Sequence, residues 1–420
     1  MRIELKKNVH LMTAPTKKYK TIQILVRFST VLRKNIAAKR ALLANLMETN
    51  SKHFPVQTEL SKRLAKLYGA DFHSYVDRKG NMHQLNFLIT IVNDSYLQDT
   101  QLLVQAIDFL TEIIFYPNIK NDEFDHETFK LEQDNLIKYI ESFVEDKGYY
   151  AKLRLQELYY RSSTAQAEAT CGTAEALKLL TAKKLASYYT KMLSKDKIDI
   201  LIMGDVNELK VQKLFSNLPF APRNFSNVEL FYNEPLTNVV VERAEQESLD
   251  QSKLNLAYHL PIKFTDSSHF ALQIFNGLFG GFSHSKLFAN VREKASMAYL
   301  ISSSFDSFRS FMMVRTGIDR VNRNKVLELI HQQLVSLQSG EFEEAELLQT
   351  KAMLKNVYLL SRDNMNAVME EKLINFLLPH TKFSKEEYLQ NLKLVTRKEV
   401  MEVANKIKLQ AIFFLEGYMT

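Results

Sequence analysis

Two stretches of this sequence repeat one plan in the same order, and that repetition constrains the fold more than any other feature. In the first stretch, residues 21–28 form a β-rich, mostly apolar run that predicts a buried strand. A helix is predicted over Ile36–Thr49, with Leu42, Leu43, Leu46 and Met47 on one side. A second helix follows over residues 58–68 and is stopped by Gly69. Residues 72–76 and 82–91 then read as a hairpin about the turn at 77–80. The order recurs from Leu254: a strand over 254–260, helices over 268–279 and 285–294, and a hairpin from 298–305 and 310–317.

The ends of the two stretches match as well. Thr181 opens a helix that leads to an apolar strand ending at Gly204, and Thr396 opens one that leads to a strand ending at Gly417. Threonine and glycine lie 23 positions apart in the first copy and 21 in the second. Between the copies, residues 218–235 gather Pro219, Pro222, Pro235 and several asparagines, which marks a linker. The expectation is an α+β fold of two homologous lobes, each a largely antiparallel sheet flanked by helices, with domains at 1–218 and 236–420.

Composition narrows the function class. At 46% hydrophobic and 25% charged residues the chain is globular rather than disordered. One cysteine, Cys171, leaves no intramolecular disulfide and fits a reducing compartment. The first residues are charged and lack the apolar core of a secretory signal, and no apolar run is long enough to span a bilayer. The expected location is therefore the cytoplasm, without a membrane partner. The net charge of +7 is spread out, and the clusters at 17–20 and 183–184 are short. With no nucleic-acid motif beside them, they read as solvated surface.

The densest cluster of chemistry lies at Gly280, Gly281 and Ser283, followed by Arg292 and, seven residues later, Tyr299. A guanidinium and a phenol both donate hydrogen bonds, so together they can hold and polarise a peptide carbonyl. The glycines would allow a backbone to approach closely. Taken singly, Arg292 could be a surface ion-pair partner of Glu293 or Glu328, and Tyr299 ordinary core. Set in the duplicated frame, the run resembles the substrate-side signature of the pitrilysin/insulinase metallopeptidases, the inverted zincins. The resemblance spans nearly the whole chain and implies a pitrilysin-like (LuxS/MPP-like metallohydrolase) fold, with Arg292, Tyr299, Gly280, Gly281 and Ser283 facing substrate.

An inverted zincin also carries His-x-x-Glu-His on a helix, where histidines four apart reach one metal and the glutamate activates water. Alignment from the segment 51–55 places that motif on residues 41–45. The histidines become Ala41 and Asn45, and the general base becomes Ala44. Alanine has no ligand atom and a neutral amide binds zinc poorly. Where the family has two glutamates seven apart, Glu132 matches the first and Tyr139 stands at the third-ligand position, with Glu141 close by as the alternative register.

No other metal site is apparent. The ten histidines are dispersed, and only His73 and His83 could face each other across a hairpin, more simply as two strand residues. Cys171 reads as a small buried side chain rather than a nucleophile, and Gly280-Gly281 lacks the Lys-Ser/Thr of a phosphate loop. The resemblance implies the non-catalytic half of a bacterial heterodimeric peptidase. This chain would bind no metal, zinc would sit in a homologous partner, and the two chains would close around a peptide. For the isolated chain a homodimer stays open beside the heterodimer. The family also implies a peptide-binding edge at residues 72–75, by strand addition. The competing readings are a structural or peptide-binding protein with no peptidase role, and, third, a stand-alone hydrolase with an unrecognised site.

Overall fold

The strand Thr21–Val31 is buried continuously from Ile22 to Ser29, which requires neighbours on both edges and cover on both faces. In the computed structural model, which describes residues 2–97, 101–226 and 228–418, it has both. The chain divides into two units, one formed by residues 1–142 and 169–229 and the other by 143–168 and 230–420.

The first unit is built on strands β1 (Arg2–Lys6), β2 (Val9–Pro15), β3 (Thr21–Val31), β4 (Asp71–Lys79) and β5 (Met82–Val92), with a small ribbon of β6 (Ile119–Lys120) and β7 (Glu123–Phe124), and on β8 (Lys197–Gly204). The main sheet has the order β1-β2-β8-β3-β5-β4. Every pairing is antiparallel except β2 with β8. One face carries Ile22, Ile24, Val26 and Phe28 into a core shared with the helices Ile36–Thr49, Leu102–Phe115 and Ala182–Lys195. On the other face Arg27 Nε donates to Asn86 Oδ1 at 2.7 Å, so a buried cation there has a polar partner.

The second unit repeats this frame with β9 (Val241–Ser248), β10 (Ser252–His259), β11 (Leu300–Asp306), β12 (Phe311–Ile318) and β13 (Lys408–Tyr418). Its order is β11-β12-β10-β13-β9, antiparallel throughout except β13 with β9. The order β9-β13-β10-β12-β11 therefore superimposes on β2-β8-β3-β5-β4, strand for strand and sense for sense. The duplicated threonines act as predicted: Thr181 and Thr396 each accept a backbone N–H in the first turn of the helix they open.

One segment departs from sequence order. The helix Lys147–Tyr159 follows the first copy in the chain but packs on the second sheet, placing Ala151, Leu155 and Tyr159 against Ala257, Phe311 and Phe413. Tyr150 donates from its hydroxyl to Glu245 at 2.7 Å, and Arg154 Nε donates to the same carboxylate at 3.0 Å. A reading of the chain as two contiguous halves puts this helix in the first. Among the strands, element type follows the prediction and boundaries shift. The hairpin turn is Gly80-Asn81 rather than 77–80, since Lys79 already pairs with Met82. Gly80 takes φ 54°, the left-handed conformation such a turn needs. Among the described residues, no helix is long and apolar enough to cross a membrane.

Candidate functional site

In the first unit, helix Ile36–Thr49 presents Ala41 and Ala44 inward, at 4% and 2% exposure, as part of the apolar core. Asn45 is half-buried on the same helix. The Thr49 hydroxyl lies 2.9 Å from both the Asn45 carbonyl and a carboxylate oxygen of Glu132 on the neighbouring helix His126–Glu141. Burial raises the Glu132 carboxyl above its ordinary pKa, with the Thr49 hydrogen bond opposing it. Tyr139, further along that helix, is exposed. Where an inverted zincin has two imidazoles and a carboxylate, this chain has two methyl groups in a hydrocarbon core and one amide. That donor set does not fit zinc. Among the described residues, no three His, Cys, Asp or Glu side chains are placed to hold a metal ion.

The helix is anchored by an ion pair instead. Arg40, one residue before Ala41, has a wholly buried side chain that contacts Asp196 through Nη1 and donates from Nη2 to the Phe28 carbonyl at 2.5 Å. Burial opposes the charge on Arg40, but the Asp196 carboxylate and the Tyr188 hydroxyl outweigh it and raise the guanidinium pKa. Nothing local in the sequence signals this pair, because its members are 156 residues apart.

The two hairpin histidines do not face each other. His73 is paired with Leu88 and His83 with Arg78. His73 is exposed beside Asp71 at 3.0 Å, whereas His83 is buried with Nε2 2.9 Å from the Thr170 carbonyl. Burial and the nearby Arg40 push the His83 pKa down to about 3. One edge of the first sheet is β4, which contains residues 72–75. There the Ser74 N–H donates to Glu48 Oε2 at 3.0 Å, so an added strand would have to displace a carboxylate.

In the second unit the glycine-to-tyrosine run is shaped by two π-helical segments, Gly277–Gly281 and Phe288–Lys294, the first continuing the helix His269–Asn276. Such wide turns recur at functional sites. Sequence periodicity predicted ordinary helix here, because one extra residue per turn leaves no compositional mark. A Cβ on Gly280 would lie 2.7 Å from the backbone nitrogen of Ser303 in β11, and one on Gly281 would lie 2.9 Å from the Asn276 carbonyl oxygen. The chain itself fills the space both glycines open, so they fix the turn against the sheet. Ser283 is exposed beyond them. Phe282 stacks on His284, whose Nε2 is 2.8 Å from the Thr350 hydroxyl, and this pins the loop to the helix Glu344–Ser361.

Arg292 is on the second π segment. Its side chain is 40% exposed, 4.7 Å over the Phe288 ring and 3.6 Å from Glu293 Oε1. The segment closes through Ser296 at φ 53°, a helix-ending left-handed residue. Tyr299 then enters the edge of β11, its N–H donating to Gly317 at 2.9 Å and its side chain 61% exposed. Both predicted donors are therefore on the surface. Among the described residues no hydrogen bond joins them to each other.

Residues 179–354 match the family model described as the peptidase M16 inactive domain, a span that includes Arg292 and Tyr299. The chain is 32% identical to the probable inactive metalloprotease YmfF of Bacillus subtilis (strain 168), over 96% of this chain and 94% of that protein. It is 23% identical to an uncharacterized zinc protease, YmxG, of the same organism, over 72% of each. Among solved structures, a conserved protein from Enterococcus faecalis V583 is 52% identical and superimposes with a TM-score of 0.97, covering 100% of this chain and 99% of that one. With 32% identity to a probable inactive metalloprotease over 96% of its length, and a match to the peptidase M16 inactive domain, this chain belongs to the M16 family of metallopeptidases, the pitrilysin/insulinase peptidases.

Proposed function

We propose that this chain is the non-catalytic, substrate-holding subunit of a two-chain zinc metallopeptidase that acts on peptides. The zinc and general base would come from a homologous partner carrying His-x-x-Glu-His. The observation that carries the reading is a division of chemistry within one chain. The helix that should bind metal buries Ala41 and Ala44 in hydrocarbon, while Arg292 and Tyr299, both hydrogen-bond donors, stand exposed on the other unit. Arg292 lies over Phe288 and 3.6 Å from Glu293 yet leaves 40% of its side chain open to solvent, and Tyr299 is exposed.

In this role Arg292 and Tyr299 hold the peptide carbonyl next to the bond cut by the partner, and the exposed Ser283 hydroxyl offers a further contact. Gly280 and Gly281 shape the turn that carries them. The lone thiol, Cys171, fits action in the cytoplasm. Without its partner the chain would pair with a second copy of itself.

The test is co-purification from the source cells, followed by reconstitution with any homologue that carries the zinc motif. A stoichiometric zinc-binding partner, and peptide cleavage that needs both chains and falls with Arg292→Ala, is the expected result. Cleavage unchanged by Arg292→Ala would remove the substrate-holding role. Failure of every such homologue to associate would favour a scaffold or peptide-binding protein with no peptidase role.

A further inference from the structure

The second unit contains a cavity of about 630 Å³ that the proposed function does not use. That volume lies within the range of sites built to enclose an organic ligand. Its walls come from the segment 264–273, the end of helix Glu344–Ser361, helix Met365–Leu377 and helix Lys385–Leu394. Arg292 and Tyr299 are not among its lining residues.

The floor is aromatic. Tyr358 and Tyr388 stack with centroids 4.0 Å apart, and Phe270 meets both Tyr388 and Phe383 edge-on at 5.2 and 5.5 Å. Tyr388 is fixed by donating to Gln273 Oε1 at 2.7 Å. The lining has one sign of charge. It includes Asp266, Glu370, Glu371 and Glu399, and neither lysine nor arginine, in a chain of net charge +7. Glu371 is paired with Arg362, which also lies over the Tyr358 ring at 5.5 Å, and Lys351 donates to the carbonyls of Lys393 and Val395. On the wall, His269 has a buried Nδ1 with no hydrogen-bond partner among the described residues. Burial lowers its pKa to about 4, so it adds no positive charge at neutral pH. His380 is the other imidazole in the lining.

We infer that this cavity binds an amphipathic organic cation, and specifically a peptide segment in which an aromatic side chain adjoins a lysine or arginine. The aromatic group takes the apolar floor, and the cation faces the carboxylates of Asp266 and Glu399. Only the choice of a peptide over a free arylalkyl amine rests on the proposed peptidase role. Binding at the cavity needs no partner subunit, so its failure is distinct from failure of that role.

The probe is phenylalanyl-arginine β-naphthylamide, titrated calorimetrically into the full-length chain. The expected result is saturable binding to one site per chain, weakened by salt. Ala367→Trp, which fills the cavity from an exposed helical position, should abolish it. Asp266→Asn with Glu399→Gln keeps the local hydrogen-bond acceptors while removing two charges, and should weaken binding about fivefold. Circular dichroism identifies any variant that fails to fold, and the charge-only variant keeps the test open in that case. Phenethylamine serves as the second arm: binding as tight as the dipeptide's would make a free amine the ligand and overturn the peptide assignment. Equal affinity for phenylalanyl-aspartate β-naphthylamide, or unchanged binding by a folded Ala367→Trp chain, would overturn the site itself.

Discussion

Asp196→Ala should destabilise the first unit more than any surface substitution can, because it strands a buried charge. The Arg40 side chain is fully buried, and among the described residues its anionic partner is Asp196. Its remaining partners are the neutral Phe28 carbonyl and the Tyr188 hydroxyl at 3.4 Å. Removing one member of a buried pair costs about 3–5 kcal/mol, since the other keeps its desolvation penalty without compensation. The first unit has roughly 200 residues, so at ~2.1 cal/mol/K per residue its unfolding entropy is ~0.4 kcal/mol/K. The expected fall in Tm is then about 7–12 °C, read by differential scanning calorimetry. Replacing both members, Arg40→Met with Asp196→Leu, should recover most of the loss, because a packed apolar pair often equals a buried ionic one. A fall of less than about 2 °C for Asp196→Ala would refute the argument, since it would mean that water or relaxation relieves the stranded guanidinium.

Four further outcomes follow from the same structure. Gly280→Ala places a methyl 2.7 Å from the Ser303 backbone, and should cost about 1–3 kcal/mol, measured from the urea midpoint at constant slope. His83 has its folded pKa depressed from 6.5 to about 3, so it contributes stability that is present above 6.5 and lost as pH falls toward 3. Between pH 7 and 5 it should remove about 2 kcal/mol, a dependence that His83→Leu should flatten in denaturant titrations. Restoring the motif by Ala41→His, Ala44→Glu and Asn45→His should yield an unstable chain that retains no stoichiometric zinc after dialysis. Two of those sites are core positions at 4% and 2% exposure, and tight zinc in a folded product would contradict this. Burial pushes the Cys171 thiol up to about 11 from its ordinary 9.0, so at pH 8 its alkylation should be about a hundredfold slower in the folded chain than in urea.

What could be read from the sequence was what a few neighbouring residues decide. The strand and helix types of both copies, the Thr181 and Thr396 caps and the order of the repeat depend on periodicity and local hydrogen bonding, which operate within a turn or two. That Ala41 offers no ligand atom was equally legible, because a side chain without a lone pair cannot ligate a metal in any fold. Arg292 and Tyr299 could be named from their spacing, but their exposure could not. Exposure depends on what else packs nearby: Arg292 stands on a π-helical segment, and Tyr299 lies where the chain enters the edge of β11. Packing alone settled the rest. It set the helix Lys147–Tyr159 on the second sheet, brought Arg40 to Asp196, separated His73 from His83, and enclosed an acidic aromatic cavity between segments some ninety residues apart. Each of these joins residues distant in the chain. Their meeting is a property of shape and burial in the folded unit, which local patterns do not encode.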